Sequence, residues 1–361
     1  MKLLLMNDSL TAGGRERRIV ELIKGLKKKY DDIFIKILLF EDSIHYKEIF
    51  DFNIEIVTLK RVPKQHKFEY FLTVYKHIYS FSPDIVHVWS NLSAFYLLPS
   101  KIFVRFKLIN SQIADAPAIN NVSFISKLNF FFADLILSNS KAGIKSYNVK
   151  SNKSDVIKNG FDFFRAKNLK PKSKVKSSFG IETKFLVGMV ARFDKHKDYF
   201  SYLRVAEKIL ENREDITFIC VGSGNSENLQ FFLKNSKIKF LGKQDDVENI
   251  MNSCDVGILL SNYKAHGEGI SNSLMEFMAL SVPVIASDNG GNSELIINNE
   301  TGFIVNKEND IDEIINKLDI FLNNKCLRNS FGKNSQKRIK NKFDIETMVD
   351  KFYNNYISLI K

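Results

Sequence analysis

The chain has 361 residues, 44% of them hydrophobic, and a formal net charge of +12. This length exceeds the size at which one hydrophobic core usually stops growing, so we expect two domains. The three cysteines, Cys220, Cys254 and Cys326, are far apart and indicate neither a disulfide framework nor a zinc site, which suits a reducing cytoplasm. No apolar run approaches the roughly 20 residues of a membrane span, so we expect a soluble or peripheral protein.

The positive charge is concentrated in the first half of the chain. Residues 1–170 hold 27 Lys and Arg against 16 Asp and Glu, a balance of +11, whereas residues 171–361 hold 26 against 25, a balance of +1. A basic half can attract nucleic acid, an anionic membrane or an acidic substrate. We expect no nucleic acid, because no zinc-finger spacing, basic heptad region or aromatic RNA-binding signature is present. An anionic cytoplasmic membrane face is the favoured partner, and plain solubility is the alternative.

Apolar runs alternate with helical patterns along the whole chain. The run Leu3–Met6 is too short for a signal peptide and is predicted to be the first strand. The other predicted strands are Phe34–Phe40, Ile54–Leu59, Ile85–Trp89, Leu108–Ile109 and Leu135–Leu137, then Phe185–Val190, Ile216–Val221, Ile238–Leu241, Val256–Leu260 and Val284–Ala286. Helical patterns such as Arg17–Leu26 and Tyr70–Ser80 separate them. The alternation predicts an α/β protein with two parallel, doubly wound, Rossmann-like sheets.

The domain boundary is predicted in a segment rich in Lys and Ser. Residues 167–178 contain one proline, Pro171, and are typical of a solvated linker or a helix start. The predicted domains are therefore residues 1–170 and residues 171–345. The last forty residues show two helical patterns, and we expect the helix 346–361 to cross back to the first domain.

Two glutamates, Glu268 and Glu276, are separated by seven residues. The first lies in a loop after a predicted buried strand, and the second lies in a predicted helix with good N-cap types at its start, Ser271, Asn272 and Ser273. A helix N-terminus at the carboxyl end of a strand suits a diphosphate. Glu276, about one turn into the helix, would accept hydrogen bonds from both hydroxyls of a ribose, and Glu268 would face the group beyond the phosphates. Alone, such a pair is more often an accident of spacing.

Two further motifs follow predicted strands. Gly13 and Gly14 open a helix after the first strand, where glycine lets the backbone approach a ligand closely. Arg192 and Lys197 follow the first strand of the second half, where a guanidinium and an ammonium would clamp a diphosphate. The alternatives are a simple turn and a solvated basic loop.

Together these motifs occur in the order that is typical of one known enzyme family. They are Gly13-Gly14, Asp84 to His87, Asn139-Ser140, Asn159 to Asp162, Arg192 with Lys197, Gly222 to Gly224, Glu268 through Glu276, Pro283-Val284 and Gly290 to Glu294. The chain resembles family 4 of the glycosyltransferases, which has the GT-B fold, with two Rossmann-like domains facing a central cleft, and the E-x7-E motif. The resemblance covers nearly the whole chain, and its most specific part is the segment from Glu268 to Glu294.

The resemblance implies a role for several of these residues. Arg192 and Lys197 would neutralise the diphosphate as the leaving group develops charge. Glu276 would bind the ribose, and Glu268 with the backbone of Gly269 and Ile270 would orient the donor sugar. Ser271 and Asn272 would complete the donor-binding loop, and Gly13 and Gly14 would approach the donor from the N-terminal domain across the cleft.

Members of the family retain anomeric configuration and need no metal, so we expect neither a metal nor another cofactor. The segment Asp310-Ile-Asp312 imitates the D-x-D metal motif of other glycosyltransferases. It opens a helical pattern and is better explained as N-capping and compensation of the helix dipole.

The chain departs from the family pattern on the acceptor side. The family often has a His-x-His pair after the fourth strand. Here His87 occupies the first position of that pair and Trp89 occupies the second. The family also often has a His or Arg in the loop after the fifth strand, where this chain has Asn110-Ser111-Gln112-Ile113. His87, Trp89 and Gln112 are candidate acceptor-side residues. His87 could instead be a packed strand residue, and Trp89 could stack on a sugar or fill a gap in the core.

The expected function is a retaining, metal-independent, hexosyltransferase-type enzyme. It would move a sugar from a nucleotide-sugar donor, expected to be a UDP-sugar, to a saccharide acceptor, expected to be lipid-linked, in the synthesis of capsule, O-antigen or a similar cell-surface polysaccharide. The expected location is the cytoplasm, at the inner face of the cytoplasmic membrane. The alternatives are a sugar-nucleotide epimerase with the GT-B fold and a non-catalytic relative that binds sugar nucleotides.

Overall fold

The computed structural model describes residues 1–59, 67–117, 122–306 and 308–361. Within these ranges the chain forms two compact units. The first unit is Met1–Gly160 together with Ile345–Lys361, and the second unit is Phe161–Asp344. The division falls at 160/161 rather than at the predicted 170/171, because Phe161 is fully buried in the core of the second unit and its N–H donates to the carbonyl of Phe343 at 2.8 Å.

The described residues of the first unit contain a seven-stranded parallel sheet with the strand order β3-β2-β1-β4-β5-β6-β7. Its strands are β1 (Lys2–Asn7), β2 (Phe34–Leu39), β3 (Glu55–Thr58), β4 (Ile85–Val88), β5 (Lys107–Ile113), β6 (Leu135–Ser138) and β7 (Ser154–Val156). Its helices are α1 (Gly14–Lys29), α2 (Lys67–Phe81), α3 (Asn91–Leu97), α4 (Ser100–Phe103), α5 (Phe124–Phe132), α6 (Lys141–Ser146) and, from the end of the chain, α14 (Ile345–Ile360).

The second unit contains a six-stranded parallel sheet in the described residues, with the strand order β10-β9-β8-β11-β12-β13. Its strands are β8 (Phe185–Val190), β9 (Ile216–Val221), β10 (Ile238–Gly242), β11 (Val256–Leu259), β12 (Val284–Ser287) and β13 (Gly302–Val305). Its helices are α7 (Lys172–Ser178), α8 (Tyr199–Leu210), α9 (Val247–Ser253), α10 (Asn272–Ala279), α11 (Asn292–Leu295), α12 (Ile311–Asn323) and α13 (Lys325–Lys342).

Both sheets have the doubly wound strand order, in which the direction of the connections reverses beside the first strand of each unit. The predicted pair of parallel, doubly wound sheets is therefore confirmed. In such sheets a ligand binds outside the carboxyl ends of the two strands at the reversal. Those strands are β1 and β4 in the first unit and β8 and β11 in the second.

Apolar side chains pack on both faces of each sheet. In the first unit, one face packs against α1 and α14 and the other against α2, α3 and α5. The helix α14 is fixed to α1 by a ring stack of Tyr30 on Tyr353, with centroids 3.6 Å apart. The carboxylate of Asp350 also accepts hydrogen bonds from Lys29 and Tyr30. One continuous core fills the second unit.

Three details of the strands differ from the prediction. β7 and β13 were not predicted, because a polar three-residue edge strand and a four-residue run that begins with Gly302 carry too little periodicity. Residues Asn110–Ile113 were expected in a loop and instead continue strand β5. Their buried polar side chains are satisfied by hydrogen bonds, for example from the N–H of Gln112 to Oδ1 of Asn110 at 3.0 Å, so polarity was a misleading sign of a loop.

Candidate functional site

The loop after β8 and the loop after β11 are joined by backbone pairing in the second unit. Lys197 forms an antiparallel bridge with Ser261, and the N–H of Asp198 donates to the carbonyl of Leu260 at 2.9 Å. The side chain of Asp198 then caps α8 through the N–H of Ser201. These contacts bring the residues after the two central strands to one point at the carboxyl edge of the sheet.

A compact charged cluster forms at this point. Nζ of Lys197 forms an ion pair with Oε1 of Glu268. Oγ of Ser261 donates to the same oxygen at 2.5 Å, and Nε2 of His266 lies 3.9 Å from Oε2. Burial raises the pKa of Glu268, but the charges of Lys197 and His266, together with hydrogen bonds from Lys197 and Ser261, outweigh it, so that the pKa falls below its usual range. Glu268 is therefore an anion at neutral pH although only 5% of its surface is exposed.

Two glycines fix the backbone of the loop that carries Glu268. Gly290 has a φ of +58°, and a Cβ there would lie 2.0 Å from the carbonyl oxygen of Glu268. A Cβ on Gly291 would lie 2.6 Å from the carbonyl oxygen of Gly269. Because the N–H of Gly291 also donates to the Glu268 carbonyl at 2.8 Å, only glycine lets these two segments approach so closely.

The helix α10 starts directly after this loop. The predicted N-cap is confirmed: Oγ of Ser271 accepts from the N–H of Leu274. Ile270 and Ser271 are buried and Asn272 is partly exposed at the start of the helix. The N-terminus of this helix is thus placed at the carboxyl edge of the sheet, after the loop that carries Glu268, where the helix dipole favours an anion.

Arg192 lies at the same edge but makes a different contact. Its guanidinium forms an ion pair with Asp194 at 3.0 Å and its side chain is 63% exposed. Two glycines hold its backbone, because a Cβ on Gly222 would lie 1.8 Å from the carbonyl oxygen of Ala191 and one on Gly224 would lie 2.3 Å from that of Phe193. The sequence placed Arg192 and Lys197 in one clamp, whereas the structure pairs each with a separate carboxylate.

An open cavity of about 580 Å³ adjoins Lys197. It is lined by residues of the second unit, among them Asp194, Asn225, Glu227 and Asn262. Its size is within the range of small-ligand pockets, which are about 300–1,000 Å³.

Glu276 forms an ion pair that the sequence did not predict. Nη2 of Arg165 contacts Oε1 of Glu276 at 2.8 Å, and Nε of Arg165 donates to Oε1 of Glu248 at 2.7 Å. The predicted boundary at residue 170 assigned Arg165 to the other domain, and for that reason it was missed. The sequence did contain one sign of this residue. Arg165 lies three residues after Asp162, which is the last residue of the motif Asn159 to Asp162.

The predicted acceptor-side residues belong to the first unit, and the structure buries them. His87 and Trp89 are 0% and 1% exposed. Nδ1 of His87 hydrogen-bonds to the hydroxyl of Tyr356 at 2.8 Å, and Nε2 hydrogen-bonds to Oγ of Ser111 at 2.7 Å. Burial, aided by the charge of Arg18, lowers the pKa of His87 well below its usual range. This environment is that of a packed strand residue, and a contact with an acceptor stays a prediction.

A second buried group in this cluster is the guanidinium of Arg18. It donates to the carbonyl of Ile157 and lies over the rings of Trp89 and Phe352, 5.4 and 5.0 Å from their centroids. Burial lowers its pKa to about 9. Trp89 therefore fills the core, which is one of the two alternatives that the sequence left open.

Gln112 and the glycine pair complete the candidate residues of the first unit. Oε1 of Gln112 is 3.4 Å from Nδ2 of Asn110 and 3.5 Å from Nδ2 of Asn129, so this side chain takes part in an internal amide network. Gly13 precedes α1, Gly14 begins it, and the Gly13 carbonyl accepts a hydrogen bond from the hydroxyl of Tyr46 at 3.1 Å. The predicted placement of the pair at a helix N-terminus after β1 is observed.

In the described part of the chain, no three His, Cys, Asp or Glu side chains come together in a way that could hold a metal ion. Asp310 caps α12, its carboxylate accepting from the N–H of Glu313 at 2.8 Å, as predicted. None of the described helices is both long and apolar enough to cross a bilayer.

Part of the chain is similar to proteins of known families. Residues 171–338 match the model of the family described as Glycosyl transferases group 1. This match covers just under half of the chain and lies in the second unit, which is therefore similar to that family of glycosyl transferases. Over 227 residues the chain is 31% identical to the UDP-Gal:alpha-D-GlcNAc-diphosphoundecaprenol alpha-1,3-galactosyltransferase of Escherichia coli, covering 60% of this chain and 57% of that protein.

The chain is also similar to a second relative and to a solved structure. Over 230 residues the chain is 28% identical to the capsular polysaccharide biosynthesis glycosyltransferase CapM of Staphylococcus aureus, covering 60% of this chain and 59% of CapM. Both alignments thus span less than two thirds of the relative. The crystal structure of Anabaena HepE in complex with UDP-glucose superposes with a TM-score of 0.86 at 20% identity, covering 99% of this chain and 100% of HepE, and this likeness supports the fold.

Proposed function

We propose that this protein is a retaining, metal-independent glycosyltransferase of family 4 that transfers a hexose from a UDP-sugar to a lipid-linked saccharide. The observation that carries the proposal is the ion pair of the partly exposed Lys197 with the buried Glu268, in the loops that follow β8 and β11. A sugar nucleotide presents a diphosphate and a polyhydroxyl group side by side. The cation Lys197 and the start of α10 would bind the diphosphate. The anion Glu268, at the same edge of the sheet, would bind the hydroxyl groups.

The chemistry follows from these charges. In the transfer, the bond between the sugar C1 and the diphosphate oxygen breaks, and its electron pair leaves with the nucleoside diphosphate. Lys197 and Arg192 would stabilise the negative charge that develops on that oxygen. The ammonium of Lys197 has three N–H donors, so it can keep its contact with Glu268 while it donates to a phosphate. The acceptor oxygen bonds to C1, and its proton is released.

Glu268 and Glu276 would hold the two ends of the donor. The Glu268 carboxylate accepts hydrogen bonds only, so it would fix sugar hydroxyls while Lys197 and Ser261 hold its position. Glu276, which is the fifth residue of α10, would accept from the ribose hydroxyls. The N–H groups at the start of α10 would face the diphosphate between them.

The acceptor is inferred from the relatives and from charge. The E. coli relative is named for a diphosphoundecaprenol-linked acceptor and CapM for capsular polysaccharide biosynthesis. We extend this to the present chain and propose a lipid-linked acceptor in capsule, O-antigen or similar synthesis. The balance of +11 in residues 1–170 would attract an anionic membrane. The location would be the inner face of the cytoplasmic membrane.

The test is a transfer assay with the purified full chain. UDP-glucose, UDP-galactose, UDP-GlcNAc and UDP-GalNAc are each incubated with and without undecaprenyl-diphosphate-linked GlcNAc, and products are identified by mass spectrometry and NMR. We expect one donor to be consumed much faster with acceptor, giving a product that keeps the donor's anomeric configuration. Conversion of one UDP-sugar into its epimer would support the epimerase instead, and binding without any turnover would support a non-catalytic protein.

A further inference from the structure

The helix α2 in the first unit is apolar on two opposite sides. Tyr70, Val74 and Ile78 are buried and pack against the sheet. Phe68, Leu72 and Tyr79 follow the spacing of a second stripe and are exposed. A surface helix ordinarily needs only one apolar stripe, with polar residues opposite, so the core does not explain the second stripe.

The exposed stripe continues onto α4. The ring of Tyr75, which lies in the stripe, contacts the ring of Phe103 with centroids 6.2 Å apart. Ile102 and Phe103 are 72% and 73% exposed. We call the side chains of Phe68, Leu72, Tyr75, Tyr79, Ile102 and Phe103 the aromatic surface. Large contiguous exposed apolar surfaces on soluble proteins mark binding sites.

Basic side chains accompany this surface. Lys76 lies on α2 between members of the stripe, and Arg105 and Lys107 follow Phe103; all three are exposed. On the other side of Ile102, Lys101 forms an ion pair with Asp134 at 2.6 Å. Lys153 donates to the carbonyl of Phe131, a residue whose side chain is 74% exposed.

We propose that the aromatic surface enters the headgroup region of an anionic lipid membrane and that the adjacent lysines and arginines contact lipid phosphates. Aromatic rings are favoured at the level of the headgroups, and cations next to them are attracted by anionic lipid. A protein partner would have to match a cationic rim as well as an apolar centre. This inference deepens the proposed function, because it gives the lipid-linked acceptor's membrane a defined contact.

The test is cosedimentation of the full chain with vesicles of phosphatidylcholine, with and without phosphatidylglycerol. We expect binding only with phosphatidylglycerol, and about tenfold weaker binding for the double variant Ile102→Ser/Phe103→Ser. The control Phe50→Ser removes an exposed ring from the same unit, outside the aromatic surface, and should bind normally. UDP binding by each variant reports whether it has folded.

Two results would overturn the inference. One is equal vesicle binding by the double variant and the wild type. The other is self-association, seen in sedimentation equilibrium, that the double variant abolishes while vesicle binding stays unchanged, which would make the surface an interface between copies of the chain. Vesicle binding is measured without donor or acceptor, so its failure leaves the transfer proposal standing, and failure of transfer leaves the vesicle result standing.

A different observation concerns Arg165. Its guanidinium holds Oε1 of both Glu276 and Glu248 and lies over the ring of Phe161, 5.1 Å from the centroid. The side chains of Arg165, Glu248 and Glu276 are 16%, 16% and 15% exposed, so water screens this group only partly. Two carboxylates this close would repel one another without the shared cation.

We infer that Arg165 is a positioning residue that orients the Glu276 carboxylate for ribose. The contact on Oε1 fixes the plane of the carboxylate, and a carboxylate has enough lone pairs to accept from the guanidinium and from ribose hydroxyls together. This inference rests on the proposed ribose contact of Glu276. It predicts that the effect of Arg165 depends on the ribose hydroxyls of the ligand.

The test compares the binding of UDP and 2′-deoxy-UDP by calorimetry. Arg165→Met should weaken UDP about tenfold and 2′-deoxy-UDP much less, and Arg165→Lys should recover part of the loss. In Glu276→Gln, adding Arg165→Met should cost nothing further. The control Arg213→Met removes an arginine that is paired with Asp215 in the same unit, and it should leave both affinities unchanged.

Equal loss for both nucleotides in Arg165→Met would overturn the inference, because it would indicate a general structural role or a phosphate contact. Normal UDP binding by Glu276→Gln would refute the ribose contact itself. Failure of the ribose contact and failure of the Arg165 inference can be told apart, because the first is seen in Glu276→Gln, which keeps Arg165, and the second in Arg165→Met, which keeps Glu276.

Discussion

The two units solve the problem of polar groups near a sheet in different ways. In the second unit, Lys197 and Glu268 keep opposite full charges, and 17% and 7% of their side chains remain exposed at the open edge of the sheet. In the first unit, His87 is fully buried, its pKa is held low, and both of its nitrogens are hydrogen-bonded within the unit. The exposed edge of the Lys197–Glu268 pair leaves room for a ligand to contact it. His87 has both nitrogens hydrogen-bonded inside the protein and needs no ligand to satisfy them.

The largest expected effect is at Lys197. Lys197→Ala should lower kcat about 10²- to 10³-fold, because it removes the charge that we propose to stabilise the leaving diphosphate. It should also destabilise the second unit by roughly 3–5 kcal/mol, since it leaves Glu268 buried without its cation. Steady-state kinetics and urea denaturation measure both effects.

The matched control for this prediction is Lys208→Ala, which breaks the half-exposed pair with Asp312. It should change kcat little and stability by no more than about 1 kcal/mol. A turnover near the wild-type rate in Lys197→Ala, and likewise in Arg192→Ala, would refute the leaving-group role.

The next effect is at Glu276. Glu276→Gln should weaken UDP binding by roughly ten- to hundredfold, because it replaces a charged hydrogen-bond acceptor by a neutral one. Titration calorimetry measures the affinity. Glu207→Gln, at an exposed position on α8 where Glu207 pairs with Arg204, is the control and should bind UDP normally.

A smaller effect, on stability alone, is expected in the first unit. His87→Ala should cost about 2–4 kcal/mol of the free energy of unfolding, because it leaves the hydroxyls of Tyr356 and Ser111 without their partner and opens a cavity. The affinity for UDP should stay at the wild-type value. A loss of UDP affinity in a folded His87→Ala protein would break the contrast between the two units.

The pH dependence sharpens this contrast. The folded pKa of His87 is depressed, so below the unfolded pKa of about 6.5 the unfolded chain takes up a proton that the folded chain does not. Stability due to this residue is present above pH 6.5 and falls as the pH drops toward the folded pKa, by up to about 1.4 kcal/mol per pH unit. Urea denaturation of the wild type should show this slope, and His87→Gln should lack it.

The smallest expected effect is that of a chelator. EDTA should leave the transfer rate unchanged, because in the proposed mechanism Lys197 and Arg192 would supply the positive charge that a metal supplies in other enzymes. Complete loss of activity, restored by a divalent cation, would bring Asp310 and Asp312 back as metal ligands.

The sequence predicted the second unit better than the first for a physical reason. Buried parallel strands are continuous apolar runs, and the loops after them contain glycines and charges that stand out, as at Glu268 and Gly290. In the first unit, the polar residues Asn110, Ser111 and Gln112 lie inside a strand, where only tertiary hydrogen bonds satisfy them. A single sequence carries no sign of those partners.

Arg165 shows a second limit. Its role depends on Glu248 and Glu276, which follow it by 83 and 111 residues. Local patterns do not report contacts over such separations, and the boundary near residue 170 placed it in the wrong unit. Lys197 and Glu268 are 71 residues apart, and the sequence placed both after strands of one sheet but did not predict their ion pair.

The most direct test of the central claim is amide hydrogen exchange of the full chain with and without saturating UDP, read by mass spectrometry. The account predicts protection in the second unit at residues 191–198 and 268–276, around Lys197 and the start of α10, and none at the buried cluster of His87. Protection confined to β4 and β5 of the first unit, or no protection at 268–276 while UDP is bound, would contradict it.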